Sequence, residues 1–196
     1  MKRGIVLLAL LLFGATSWRL ASAQELDKLE VSGSWQHITG DQGLNGLGLG
    51  AFYWLSGHVN VGVTYDTAWN SSRIGVFELT PIGQIAAKSH LQNWMIGPRI
   101  YFEQKKIRKY FFDPFAEVRF GGSHLSSTIT QVGSPNLSAS DSGFSWLLGG
   151  GADYVFNPHV TARLNLDFLR THFVNAGQSH LQIGLGVGYT FGERTH

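Results

Sequence analysis

From Leu29 onward the chain alternates apolar and polar residues with a period of two in eight segments. A strand whose two faces meet different surroundings gives that pattern. In Leu181–Phe191, Leu181, Ile183, Leu185, Val187, Tyr189 and Phe191 share one face, while Gln182, Gly184, Gly186, Gly188 and Thr190 share the other. Residues 160–168 set Val160, Ala162, Leu164, Leu166 and Phe168 against Thr161, Arg163, Asn165 and Asp167. Residues 112–121 set Phe112, Pro114, Ala116, Val118 and Phe120 against Asp113, Phe115, Glu117, Arg119 and Gly121. The segments beginning near Leu29, Gly46, Val59, Asn93 and Trp146 obey the same rule. Their apolar faces carry no charge, and the opposite faces hold Glu30, Asp66, Arg99, Asp113, Glu117, Arg119, Asp153, Arg163 and Asp167.

A soluble barrel would turn its apolar face inward and its charges outward, with no need to order aromatics along its axis. Here the apolar-face aromatics fall in two bands. With the first strand entering from the periplasmic side, Trp35, Tyr65, Trp94, Phe120, Trp146 and Phe168 lie near the outer ends of their strands. Tyr53, Phe102, Phe112, Tyr154, Tyr189 and Phe191 lie near the inner ends. From Trp94 to Phe102 a strand tilted about 40° climbs roughly 20 Å along the membrane normal. That is close to the height of a lipid-facing zone bounded by aromatic girdles. The pattern therefore predicts an all-β fold, an eight-stranded antiparallel up-and-down transmembrane β-barrel with its charges in the lumen.

The connections fit that orientation. Ser56-Gly57-His58, a stretch around Glu103 to Tyr110, and Asn157-Pro158-His159 serve as inner turns. Residues 38–45, 67–91, 123–143 and 172–180 read as longer outer loops, as membrane barrels show. The third of these, rich in Ser, Thr and Gly with Pro135, is expected to be mobile. Part of the second, Ile74 to Leu79, is apolar enough to extend its hairpin. Pro98 and Pro114 cannot donate to a ladder and are expected near a bulge or a strand end.

The N-terminus reads as a secretory signal over residues 1–23. Lys2 and Arg3 precede an apolar run from Ile5 to Phe13, and Ala21-Ser22-Ala23 fits a small-x-small cleavage site. Residues 24–196 then form one barrel domain. The net charge of +2 falls away once Lys2, Arg3 and Arg19 leave with the signal, so no basic stripe argues for nucleic acid. With no Cys there is neither a disulfide framework nor thiolate chemistry.

Eight strands enclose a lumen that side chains can fill. Inward glycines make room for Phe52, Trp54, Tyr101 and Phe115. A buried guanidinium must be paired, and its fork suits carboxylates. Arg99, Glu117, Arg119, Asp153, Arg163 and Asp167 are therefore expected to form a lumenal ion-pair network, for example Arg119 or Arg163 with Glu117 or Asp167. Such a lumen leaves no continuous water path; a small pore is the alternative. His37, His58, His90, His159, His172 and His180 fall mostly in predicted loops and turns without ligand spacing, so no metal or other cofactor is expected. Lys105-Lys106-Ile107-Arg108-Lys109 reads as a solvated inner turn.

Met95-Ile96-Gly97-Pro98-Arg99-Ile100-Tyr101-Phe102, Pro114-Phe115-Ala116 through Phe120-Gly121-Gly122, Leu148-Gly149-Gly150-Gly151-Ala152-Asp153 and Leu185-Gly186-Val187-Gly188-Tyr189-Thr190-Phe191 together resemble the bacterial outer-membrane protein β-barrel domain family, OmpA-like small surface barrels. The resemblance implies an integral protein of the Gram-negative outer membrane, inserted by the barrel-assembly machinery and surrounded by outer-membrane lipid and lipopolysaccharide. It carries no catalytic residues. A non-enzymatic, monomeric protein with an envelope-structural or surface-interaction role is the expectation. His124-Leu125-Ser126 resembles the pair of the lipid A 3-O-deacylases, but no Glu follows before Gly192 and the nearest later acid is Asp141. A lipid A-modifying hydrolase is thus the enzymatic alternative.

Overall fold

The computed structural model describes residues 28–40, 43–74, 85–103, 105–107, 110–131, 136–173 and 176–192. The expected signal at 1–23, the segment from residue 75 to Leu79, Arg108, Lys109 and Pro135 lie outside these described residues. The strands are β1 (Leu29–Ile38), β2 (Leu44–Ser56), β3 (Val59–Ile74), β4 (Ile85–Tyr101), β5 (Lys105–Ile107), β6 (Tyr110–Gln131), β7 (Leu137–Val155), β8 (Val160–Phe173) and β9 (Ala176–Thr190). Neighbours pair antiparallel in sequence order, β9 pairs with β1, and β4 pairs directly with β6, so eight strands close into a barrel. The three-residue β5 pairs only with the foot of β6 and thickens the inner turn that holds Lys105 and Lys106.

Closure answers the bilayer's demand that every strand-edge N–H and C=O find a partner without water. The faces sort as their chemistry requires. Leu49 is 67% exposed and Leu164 and Leu166 are each 53% exposed on the outside, whereas Arg99 is 2% and Asp153 and Asp167 are 0% exposed within.

One local expectation is corrected. The outer connections are much shorter than the alternation suggested, because the hairpins continue as paired strands: Ile74 faces Ile85, and Ile129 faces Leu137. Most of 67–91, 123–143 and 172–180 is therefore strand, including much of the Ser- and Thr-rich third connection. Neither proline makes a bulge, and each stands near a strand end as expected, Pro98 shortly before Tyr101 and Pro114 shortly after Tyr110. The β4–β6 register passes unchanged from Ile96↔Phe120 to Arg99↔Glu117, merely skipping bridges at Gly97 and Pro98, and Pro114 faces Ala152. The register shift on β2 instead falls between Trp54 and Ser56, where that strand enters its turn.

An outward-facing charge at mid-height has no partner in lipid. Leu166→Arg is expected to lower the unfolding free energy in vesicles by about 2–4 kcal/mol, read by urea titration, with the unboiled protein's faster gel migration confirming that the barrel still forms.

Candidate functional site

The lumen is filled in three layers. At its inner end Trp54, Tyr101 and Phe115 stack, with ring centroids 4.8 Å apart for Trp54–Tyr101 and 5.5 Å for Tyr101–Phe115. Next comes a network of buried charges. At the outer end Ile38, Ala68, Leu91, Met95, Leu147 and Leu169 form an apolar cluster, with Leu44, Leu125 and Phe173 packed against it.

Strand register builds the charged layer. Arg99 lies directly across from Glu117, and Asp153 directly across from Arg163. Arg99 Nε donates to Glu117 Oε2 at 2.8 Å, and Arg119 Nη2 donates to both oxygens of the same carboxylate at 2.5 Å. Arg163 grips Asp153 bidentately, Nε to Oδ1 at 2.7 Å and Nη2 to Oδ2 at 2.8 Å, and its Nη2 also donates to Glu30 Oε1 at 2.7 Å. Glu30 lies 3.8 Å from Arg99 Nη1 and so joins the two halves. Tyr101 Oη donates to Asp153 Oδ2 at 3.1 Å and accepts from Arg163 Nη2 at 3.0 Å. Three guanidiniums thus meet three carboxylates, and the cluster is neutral as a whole.

The ring of Phe52 stands among them, with Arg99 Cζ 4.2 Å, Arg119 Cζ 5.7 Å and Arg163 Cζ 5.8 Å from its centroid. A ring face is one of the few apolar surfaces that attracts a desolvated guanidinium. Gly62 makes that position possible, since a Cβ there would run into the Phe52 ring.

Five of the six expected network residues share ion pairs. Asp167 does not: its carboxylate accepts from Asn165 Nδ2 at 2.5 Å. It stands about 13 Å along β8 from Arg163, whose partners are nearer, so the suggested Arg163–Asp167 and Arg163–Glu117 pairs give way to Asp153 and Glu30. Glu30, outside the six expected residues, also lies inside the network. Asp66 likewise meets an amide, the side chain of Gln36. Around Gln36, Asp66 and Arg119 the lumen leaves a polar cavity of about 30 Å³, room for a water or two.

On the outside, Tyr65 faces Trp94, Phe120 faces Trp146, and Trp35 and Phe168 sit on the same lipid-side parity near the outer ends. At the inner ends Phe112 faces Tyr154 at 5.5 Å, Tyr189 and Phe191 meet edge-to-face at 5.2 Å, and Tyr53 and Phe102 are exposed. His124 does not bond Ser126. Its Nδ1 lies 2.7 Å from Ser142 Oγ on β7, because Ser142 is its direct cross-strand partner. Asp141 stands on the opposite parity of β7, so it completes no triad with them. Among the described residues no group of three or more His, Asp or Glu side chains could hold a metal ion.

A closed sheet of eight strands, apolar outside and ionic within, defines a small integral outer-membrane barrel. The chain belongs to the outer membrane protein beta-barrel domain family, whose profile matches residues 5–191. Among solved structures it is similar to Ail, the attachment invasion locus protein of Yersinia pestis, crystallised in complex with the heparin analogue sucrose octasulfate. That match has 13% identity, covers 83% of this chain and 95% of that one, and has a TM-score of 0.55. It is also similar to the outer membrane protein OprG from Pseudomonas aeruginosa, with 12% identity, 84% and 96% coverage and a TM-score of 0.51. At these identities the likeness is one of fold. No protein of curated function matches the chain.

Removing one partner from a buried pair strands the others. Glu117→Gln leaves Arg99 and Arg119 facing a neutral amide, and is expected to cost about 3–5 kcal/mol by urea titration in vesicles.

Proposed function

We propose that the protein is a non-enzymatic and non-conducting barrel, inserted as a monomer by the barrel-assembly machinery, which reinforces the outer membrane and holds extended hairpins at the cell surface. The observation that carries this reading is the filled lumen. An ion crossing it would have to part the aromatic layer, displace a neutral salt-bridge cluster and then pass an apolar layer, and the polar cavity between them measures about 30 Å³. The hairpins supply the surface role, since the paired part of β6 and β7 runs past the outer aromatics to Ile129 and Leu137.

Planar-bilayer recording tests the reading. The wild-type protein is expected to give no steady single-channel conductance. Leu147→Gly with Leu169→Gly, which thins the outer apolar layer, is expected to give brief openings. Sustained wild-type channels would make the protein a pore. The hydrolase alternative keeps a His–Ser contact but lacks an orienting acid among the described residues, and a hydrolytic base needs such a group to hold its tautomer. The lipid A profile of an expressing strain is expected to be the same for wild type and His124→Ala.

A further inference from the structure

The alternation of apolar and polar residues inverts its phase near the outer ends of the strands. On β1, Trp35 faces lipid, but two residues later His37 takes that parity while Ile38 turns inward and is 0% exposed. On β4, Trp94 is followed outward by Gln92 and His90, with Leu91 buried. On β6, Phe120 gives way to His124 and Ser126, with Leu125 turned in. On β8, Phe168 is succeeded by Arg170 and His172 with Leu169 buried. Trp69 and Phe144 are the apolar exceptions on the outer parity. The inversion marks where hydrocarbon ends. Two to four residues beyond a girdle aromatic is about 5–10 Å along the normal. A bilayer's headgroup layer is several ångströms thick on each side.

The collar at that level is basic on one side of the barrel. His90 on β4, His124 on β6, and Arg170 and His172 on β8 occupy the outward parity at that level, with Ser142 of β7 between them. Lys88, about 15 Å out from Trp94, stands higher on the same parity with a stem long enough to reach down to it. His90 faces Ser126, so it is a diagonal neighbour of His124. Side-chain bonds hold the heads in place. Arg170 Nη1 donates to Ser179 Oγ at 2.9 Å and its Nε to His172 Nε2 at 3.4 Å, while His90 Nε2 lies 2.8 Å from Thr67 Oγ1. His124 spends Nδ1 on Ser142 and leaves Nε2 without a partner among the described residues. No described carboxylate shares the outward parity here. Asp141 is the near acid, and it stands opposite Leu125 on the lumen-side parity. A solvated surface would intersperse both signs, whereas an arc of one sign complements an anion.

We propose that this arc, Lys88, His90, His124, Arg170 and His172, binds the phosphorylated headgroup of an outer-leaflet glycolipid. The level fits because the phosphates of such a lipid lie in the same headgroup layer, and the partner is fixed because lipid surrounds the barrel on that face. Arg supplies a planar fork for phosphate oxygens, Lys a point charge and the imidazoles N–H donors. The site needs only the barrel's place in the membrane and does not depend on whether the lumen conducts.

Native mass spectrometry of the full-length protein in a neutral detergent tests this, with bisphosphorylated lipid A, its dephosphorylated form and inorganic phosphate as probes. Wild type is expected to retain the bisphosphorylated form at least tenfold more tightly than the dephosphorylated one. Lys88→Gln with Arg170→Gln should weaken that retention about fivefold per cation removed while keeping heat-modifiable migration, which shows an intact barrel. Lys105→Gln with Lys106→Gln, on the inner turn, should leave it unchanged. Equal retention of the two lipid forms would overturn the proposal, as would an equal loss in the inner-turn variant. Displacement of the lipid by inorganic phosphate at matching concentration would reduce the site to one for free anions and also overturn it. Sustained conductance in bilayers would sink the proposed function and leave this site standing.

Discussion

In hydrocarbon a strand has no water with which to satisfy its amides, so a sheet that crosses a membrane must return to its own first strand. Much else in this chain follows from that closure. The pairing of β9 with β1 and of β4 with β6 removes the free edges, and in doing so turns the sheet's two faces into an outside and an inside with different solvents. The outside meets lipid and is built of Leu, Val, Ile and aromatic residues. The inside is walled off from both lipid and bulk water and has to satisfy itself.

Self-sufficiency explains why the interior is ionic. A lone guanidinium inside a closed barrel faces a desolvation cost that no single neutral partner offsets. Here the register of neighbouring strands sets Arg99 across from Glu117 and Asp153 across from Arg163, while Glu30 reaches in from β1 to touch both halves. The cluster therefore ties β1, β4, β6, β7 and β8 together and favours the one register that keeps every charge paired, because a one-residue slip would send charges into lipid. Phe52 and Phe115 give the guanidinium planes apolar faces to lie on, which is the role the inward glycines make room for.

Inside the membrane zone the fold was legible because one face met only lipid. Residues such as Leu164 and Asn165 could be assigned to opposite faces from alternation alone. Two things were not. Above Trp35, Trp94 and Phe168 the barrel wall meets water, so the polar residues move outward and the apolar ones inward. Ile38, Ala68 and Leu91 then read as loop residues, although with Leu169 they form the apolar cap of the lumen. A reading that allowed the phase to invert at each outer aromatic would have found both the long hairpins and that cap. The partners of particular charges were hidden for another reason: shear places Glu30 beside Arg163 across distant parts of the chain, and nothing in local spacing reveals it.

The account rests most heavily on which face looks at lipid, and the absence of native cysteine makes a direct measurement possible. Single cysteines placed in turn from Arg163 to Phe168 in membrane-inserted protein can be exposed to a thiol reagent confined to the hydrocarbon. Reaction at positions 164, 166 and 168, with protection at 163, 165 and 167, is the expected alternation. Reaction at 163, 165 and 167 instead would mean that the charges face outward, and the barrel as described here would be inside out.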